Sequence, residues 1–170
     1  YFVNLIFGIV LILYAGCTNP FAPKFDENTP GNNSVLTDLK TIEGVFQNFQ
    51  YAYTFRDTTI YGEIISHDFI FTYRDYDAGF DVSWGRDEEM KTTYGLFNNA
   101  QSLNLIWNNI VISSLDSTTA TANIVRGFNL TITFNPTSVE RIDGRVNILL
   151  TKNSLTQKWA ITRWIDESNF

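Results

Sequence analysis

Beyond residue 100 the hydrophobic pattern switches from a period near 3.6 to a period of two and keeps it almost to the end of the chain. Leu103, Leu105 and Trp107 share one phase. Phe128, Leu130, Ile132 and Phe134 alternate strictly within a segment spanning about 119–134. Val146, Ile148 and Leu150 mark a third segment, and QKWAITRWIDE closes the series. A period of two sends alternate side chains to opposite faces, so each segment is expected as a strand with one buried face. NPTSVERIDG and KNSLT read as turn regions between them. Short connections join antiparallel strands, because a parallel neighbour needs a crossover of a dozen or more residues. After Trp107 the apolar phase passes to Ile110 and Ile112, a slip at Asn108–Asn109 that predicts a β-bulge and a bent sheet. A second slip is expected at Arg126–Gly127.

Upstream, Val35, Leu39, Ile42, Phe46, Phe49 and Tyr53 recur at steps of three and four, which predicts one face of a long helix. Asn33 or Ser34 is its expected cap. Asp57 is placed to cap a second, short helix carrying Ile60, Ile64 and Ile65. HDFIFTYRD reads as a strand and DYDAGFD as a polar loop. SWGRDEEMKTTYGLFNN reads as a third helix, with Ser83 as cap and Asp87, Glu88 and Glu89 in its first turn. The expected order is helix-helix-strand-helix and then four strands. This is an α+β domain over 34–170, its N-terminal helices packed on a strongly curved antiparallel sheet.

The order resembles the nuclear-transport-factor-like superfamily, which includes ketosteroid isomerase and SnoaL-like proteins. QNFQYAYTFRDTTIYGEIISHDFIFTY, SWGRDEEMKTTYGLF and the closing KWAITRWIDES carry the resemblance. It implies a cone with a pocket between the helices and the concave sheet. It does not imply an activity, because the same scaffold hosts enzymes, ligand binders and interaction domains.

Residues 1–16, YFVNLIFGIVLILYAG, carry no charge, and the sole cysteine, Cys17, follows them. The run is short for a membrane span and has the length of a signal-peptide apolar region. Leu13-Tyr14-Ala15-Gly16-Cys17 resembles a bacterial lipobox. It matches at Ala15, Gly16 and Cys17 and departs at Tyr14, where the pattern prefers leucine. The resemblance implies a signal peptide over 1–16, lipidation of Cys17 and anchoring in the bacterial cell envelope through acyl chains. Thr18 directs the expectation to the periplasmic face of the outer membrane. No basic region precedes the apolar run, so residues are expected before Tyr1. Residues 17–33 are rich in Pro, Asn and Gly and are expected as a flexible tether.

The chemistry-bearing residues are few. One cysteine excludes an intrachain disulfide. With His67 the only histidine, neither a multi-histidine metal site nor a nucleophilic triad is expected, and no cofactor. A net charge of −6 without a basic stripe disfavours nucleic acid. His67, beside Asp68, is expected in a loop before a strand, with a pocket role as the weaker alternative. Asp75 with Tyr73 or Tyr76 is the candidate for the pocket carboxylate and phenol of the isomerase branch. Asp75, Asp77 and Asp81 otherwise read as turn residues. Trp84, Trp107, Trp159 and Trp164 are candidate pocket walls. Trp159 and Trp164 are an odd step apart, so in an undistorted strand they face opposite sides. Arg126 and Arg163 are candidate grips for an anionic group, or outward-facing residues. The favoured expectation is a non-enzymatic binding or interaction module that holds a small apolar ligand in the cone. The alternatives are a small lyase or isomerase using a pocket carboxylate, and an assembly factor acting through the outer sheet face. A homodimer is expected by analogy with related cone domains.

Overall fold

The computed structural model describes residues Leu36–Ser168. The apolar run, Cys17 and the tether lie outside the described residues. Among the described residues the elements follow in the order α1 (Ile42–Phe55), α2 (Thr58–Ile64), β1 (Ile65–Asp75), β2 (Phe80–Gly85), α3 (Arg86–Asn99), β3 (Ser102–Asp116), β4 (Thr121–Asn135), β5 (Ser138–Lys152) and β6 (Trp159–Asp166). The strands form one six-stranded sheet in the order β2-β1-β6-β5-β4-β3. None of the described helices is long and apolar enough to cross a membrane.

The α+β layout is the expected one, with two corrections. First, β1 and β6 run parallel, so the sheet is mixed; every other neighbouring pair is antiparallel. The chain between β1 and β6 supplies the crossover a parallel pair needs. Second, the expected order lacked β2. Phe80–Gly85 pairs with β1 from Asp75↔Phe80 to Ile70↔Gly85, and only Tyr76–Gly79 loops between them. Gly79 takes φ +77 in this loop, a conformation glycine adopts without a Cβ clash. Ser83 therefore sits in β2 and bonds Thr72 across the hairpin at 2.8 Å. The third helix starts two residues later than a Ser83 cap would place it, after Gly85.

The first helix also starts later than its apolar spacing predicts. Thr41 caps it, accepting from Gly44 N at 3.0 Å. Leu39 stays in phase and buried, but in the irregular segment before the helix. Asn48 sews this segment to α1. Its Oδ1 accepts from Thr37 N at 2.8 Å, and its Nδ2 donates to Thr37 O at 2.9 Å. A Cβ on Gly44 would lie 2.1 Å from Asp38 O, so only glycine allows this close approach. Asp57 caps α2 as its position predicts, accepting from Thr59 N and Ile60 N.

The core lies between the helices and one sheet face. Val45, Phe46, Phe49 and Ala52 of α1 and Tyr61 and Ile64 of α2 pack against Ile124, Val146, Ile148, Leu150 and Ile161. Two distortions shape the sheet. In β3 the register runs Trp107↔Phe128, Ile110↔Arg126, Ile112↔Val125, so β3 twice uses one residue more than β4. The slip expected at Arg126–Gly127 thus belongs to β3, because β4 keeps register with β5 through Arg126↔Val146 and Gly127↔Arg145. In β6, Arg163 pairs with Leu149 and Ile161 with Leu150. That extra residue reverses the side-chain phase. Trp159 and Ile161 join the core, and Trp164 still packs against it. The opposite orientation expected for the two tryptophans holds only for an undistorted strand, and this one is bulged.

Gly144, opposite Phe128 in the β4–β5 register, is a point of close approach in the sheet. A Cβ there would lie 2.0 Å from Ser168 Oγ and 2.7 Å from the Phe128 ring. Gly144→Ala is therefore expected to cost about 1–3 kcal/mol, the usual range for overpacking. Chemical denaturation checks it; an unchanged midpoint would mean that the closing segment and the ring move aside freely.

Candidate functional site

The concave face of the sheet leaves a cavity of about 180 Å³ under α1. α1 contributes Phe49 and Tyr53. Leu105 and Trp107 of β3, Phe128 and Leu130 of β4 and Ile142 of β5 form the sheet wall, and β6 adds Trp164 and Asp166. The period-two phase explains the choice: Leu103, Leu105 and Trp107 point to the helix side before the bulges, and beyond them β3 is exposed on both faces. The volume is small beside the roughly 300–1,000 Å³ of clefts for drug-sized ligands, so any occupant is small.

The walls are rigidly braced. Phe49 lies at the centre, 5.1 Å from the Tyr53 ring and 5.3 Å from those of Trp107 and Trp164. Trp107 Nε1 donates to Phe46 O at 3.0 Å. Arg126 sits behind this wall. Its guanidinium lies 5.1 Å from the Phe46 centroid and 5.8 Å from that of Trp107, and pairs with Glu43 at 3.3 Å. Trp164 Nε1 is buried and has no hydrogen-bond partner among the described residues. Asp166 is half-buried, accepts from Ser168 N at 2.9 Å and pairs in register with Tyr73 and Val146.

A second polar cluster lies next to the cavity. Glu89 of α3 is buried, with Oε1 accepting from Tyr61 Oη at 2.6 Å and Thr93 Oγ1 at 3.2 Å, and Oε2 from Trp84 Nε1 at 2.7 Å. Burial first, and the Glu89 charge second, push the Tyr53 phenol above its ordinary value. Tyr61 is pushed up as well, by burial first, then by Tyr53 and Glu89. Both phenols are neutral hydroxyls at physiological pH.

Of the residues singled out in the sequence, Trp107 and Trp164 line the cavity together. Trp84 stands one layer behind, stacked on Phe71 at 4.4 Å, and Phe71 meets Trp164 edge-on at 5.3 Å. Trp159 is in the core beside Lys152, away from the lining. Arg163 is exposed. Asp75 accepts from Ala78 N at 2.8 Å and closes the β1–β2 loop, so its carboxylate is engaged outside the cavity. Tyr73 packs its ring against Phe71 and Trp84, Tyr76 is exposed, and Asp81 pairs with Arg74 at 3.0 Å. His67 is exposed within β1 rather than in a loop before it, and does not line the cavity. No group of three or more His, Cys, Asp or Glu side chains that could hold a metal ion occurs among the described residues. Sequence reasoning missed Asp166. The signal was there: it follows Trp164 by two residues, hence on the same strand face.

No family model matches the sequence, and no curated protein matches it. Solved structures do. A candidate scytalone dehydratase from Novosphingobium aromaticivorans superposes with a TM-score of 0.64 at 16% identity, over 78% of this chain and 84% of that one. A candidate dehydratase of the nuclear-transport-factor-2-like family from Streptomyces avermitilis gives 0.60 at 11% identity, over 78% and 96%. An uncharacterised protein with a cystatin-like fold from Caulobacter vibrioides gives 0.57 at 14% identity, over 76% and 87%. At such identities the likeness is one of fold. The chain thus has the cystatin-like cone fold found in nuclear-transport-factor-like proteins.

Proposed function

We propose that this protein is a lipid-anchored binding module of the bacterial cell envelope, whose cone holds a small, largely apolar ligand. The observation that carries the binding half is the cavity itself, lined among the described residues by aromatic and aliphatic side chains and one carboxylate. The anchoring half rests on the sequence around Cys17. Native mass spectrometry of the full chain tests the first half. A reproducible extra mass that denaturation removes is the expected result, and a clean unliganded mass from several hosts counts against it. The same spectrum separates a monomer from the expected homodimer. For the second half, Cys17→Ser is expected to leave the membrane fraction and to lose incorporation of labelled fatty acid. Unchanged fractionation would overturn the anchor.

One observation favours a second reading, a small lyase or isomerase. Asp166 is a carboxylate in an apolar wall that also holds the Tyr53 phenol, and such a pair suits proton transfer beside a polarised carbonyl. That two neighbours in fold are candidate dehydratases is consistent with it. Turnover lost in Asp166→Asn would select this reading over simple binding.

A further inference from the structure

We propose that the cavity receives a small organic cation, a quaternary or tertiary ammonium group, with Asp166 as its counter-charge; this rests on the reading of the cone as a ligand site. Five of the nine lining residues are aromatic: Phe49, Tyr53, Trp107, Phe128 and Trp164. Leucine and isoleucine would wall an apolar cavity equally well. Aromatic rings differ in presenting a negative face, which attracts a cation within about 6 Å of the centroid. One ring at this site already does so: the Arg126 guanidinium lies 5.8 Å from the Trp107 centroid.

The charges agree with this assignment. Among the described residues no lysine, arginine or histidine lines the cavity, and the one carboxylate that does is Asp166. Among the described ion pairs, Arg126 is matched by Glu43 at 3.3 Å and Arg145 by Glu167 at 3.1 Å, while none includes Asp166. A half-buried carboxylate without a counter-ion loses hydration and gains no Coulomb partner. A cation entering the cavity restores that partner, whereas a neutral ligand does not and an anion adds repulsion. The volume of about 180 Å³ suits a group of trimethylammonium size.

Three probes of one shape decide the matter: choline, its uncharged carbon isostere 3,3-dimethyl-1-butanol, and 3,3-dimethylbutanoate. Each is titrated against the full chain in uncharged detergent micelles, with empty micelles as reference, and read by ligand-observed NMR. Choline is expected to bind about tenfold more tightly than the alcohol, and the carboxylate most weakly. Asp166→Asn keeps an oxygen for the Ser168 N–H and is expected to remove most of the preference for choline. Equal binding of choline and the alcohol would overturn the cation proposal and leave the apolar cone standing. Failure of all three would overturn the cone reading as well. A full preference for choline in Asp166→Asn would overturn the role of Asp166.

Discussion

Phe49→Ala is expected to lower stability by about 3–5 kcal/mol, the range for removing a buried phenylalanine. Phe49 is 1% exposed and meets four rings within 5.3 Å: Tyr53, Tyr61, Trp107 and Trp164. It joins α1 to α2 and to both tryptophans of the cavity, so no single neighbour can swing in to refill the space. The loss combines transfer of the ring with a void next to an existing cavity, and the void enlarges the site. Urea denaturation should show a lower midpoint at unchanged slope. Phe55, at the end of the same helix, is 56% exposed, and Phe55→Ala is expected to change stability by no more than about 0.5 kcal/mol. Comparable losses in the two variants would mean that α1 does not pack as described.

Alkaline unfolding is the second expected result, and the buried phenols are its cause. The folded state raises Tyr53 and Tyr61 above the ordinary value of 10, so it retains protons that the unfolded chain releases. Stability from these groups is complete below pH 10 and falls as the pH rises above it, because the unfolded state then binds fewer protons. Absorbance of phenolate should include a late stage, from Tyr53 and Tyr61, that rises only together with loss of structure. If every tyrosine titrates before the fold is lost, the two phenols are not held as described. Glu89 adds to the shift but ranks below burial for both groups, so Glu89→Gln is expected to keep most of the alkaline transition. At neutral pH, Glu89→Ala is expected to cost about 3 kcal/mol, because the Tyr61 hydroxyl loses its acceptor at a fully buried position.

The local signals were legible wherever they stayed local. The steps of three and four through Phe46, Phe49 and Tyr53 gave α1, and Asp57 marked the start of α2. The phase slip after Trp107 located the bulges of β3. β2 escaped because Phe80, Val82 and Trp84 carry a period of two over only six residues, merged with the helix that follows. At such length the alternation is too brief to outweigh the cap-like Ser83 and the acidic turn behind it.

The amino-acid sequence by itself determined the succession of elements apart from β2, and the bend of the sheet at the β3 bulges, because helix and strand periods and turn chemistry are set by neighbours a few residues away. Only the tertiary structure decided the site. Whether Trp159 and Trp164 share a face depends on one extra residue in β6, visible only in its pairing with β5. That Asp166 lines one cavity with Phe49, Trp107 and Phe128 depends on four elements closing around one space. No periodicity encodes such a meeting, because it arises from the curvature of the whole sheet and the packing of α1 across it.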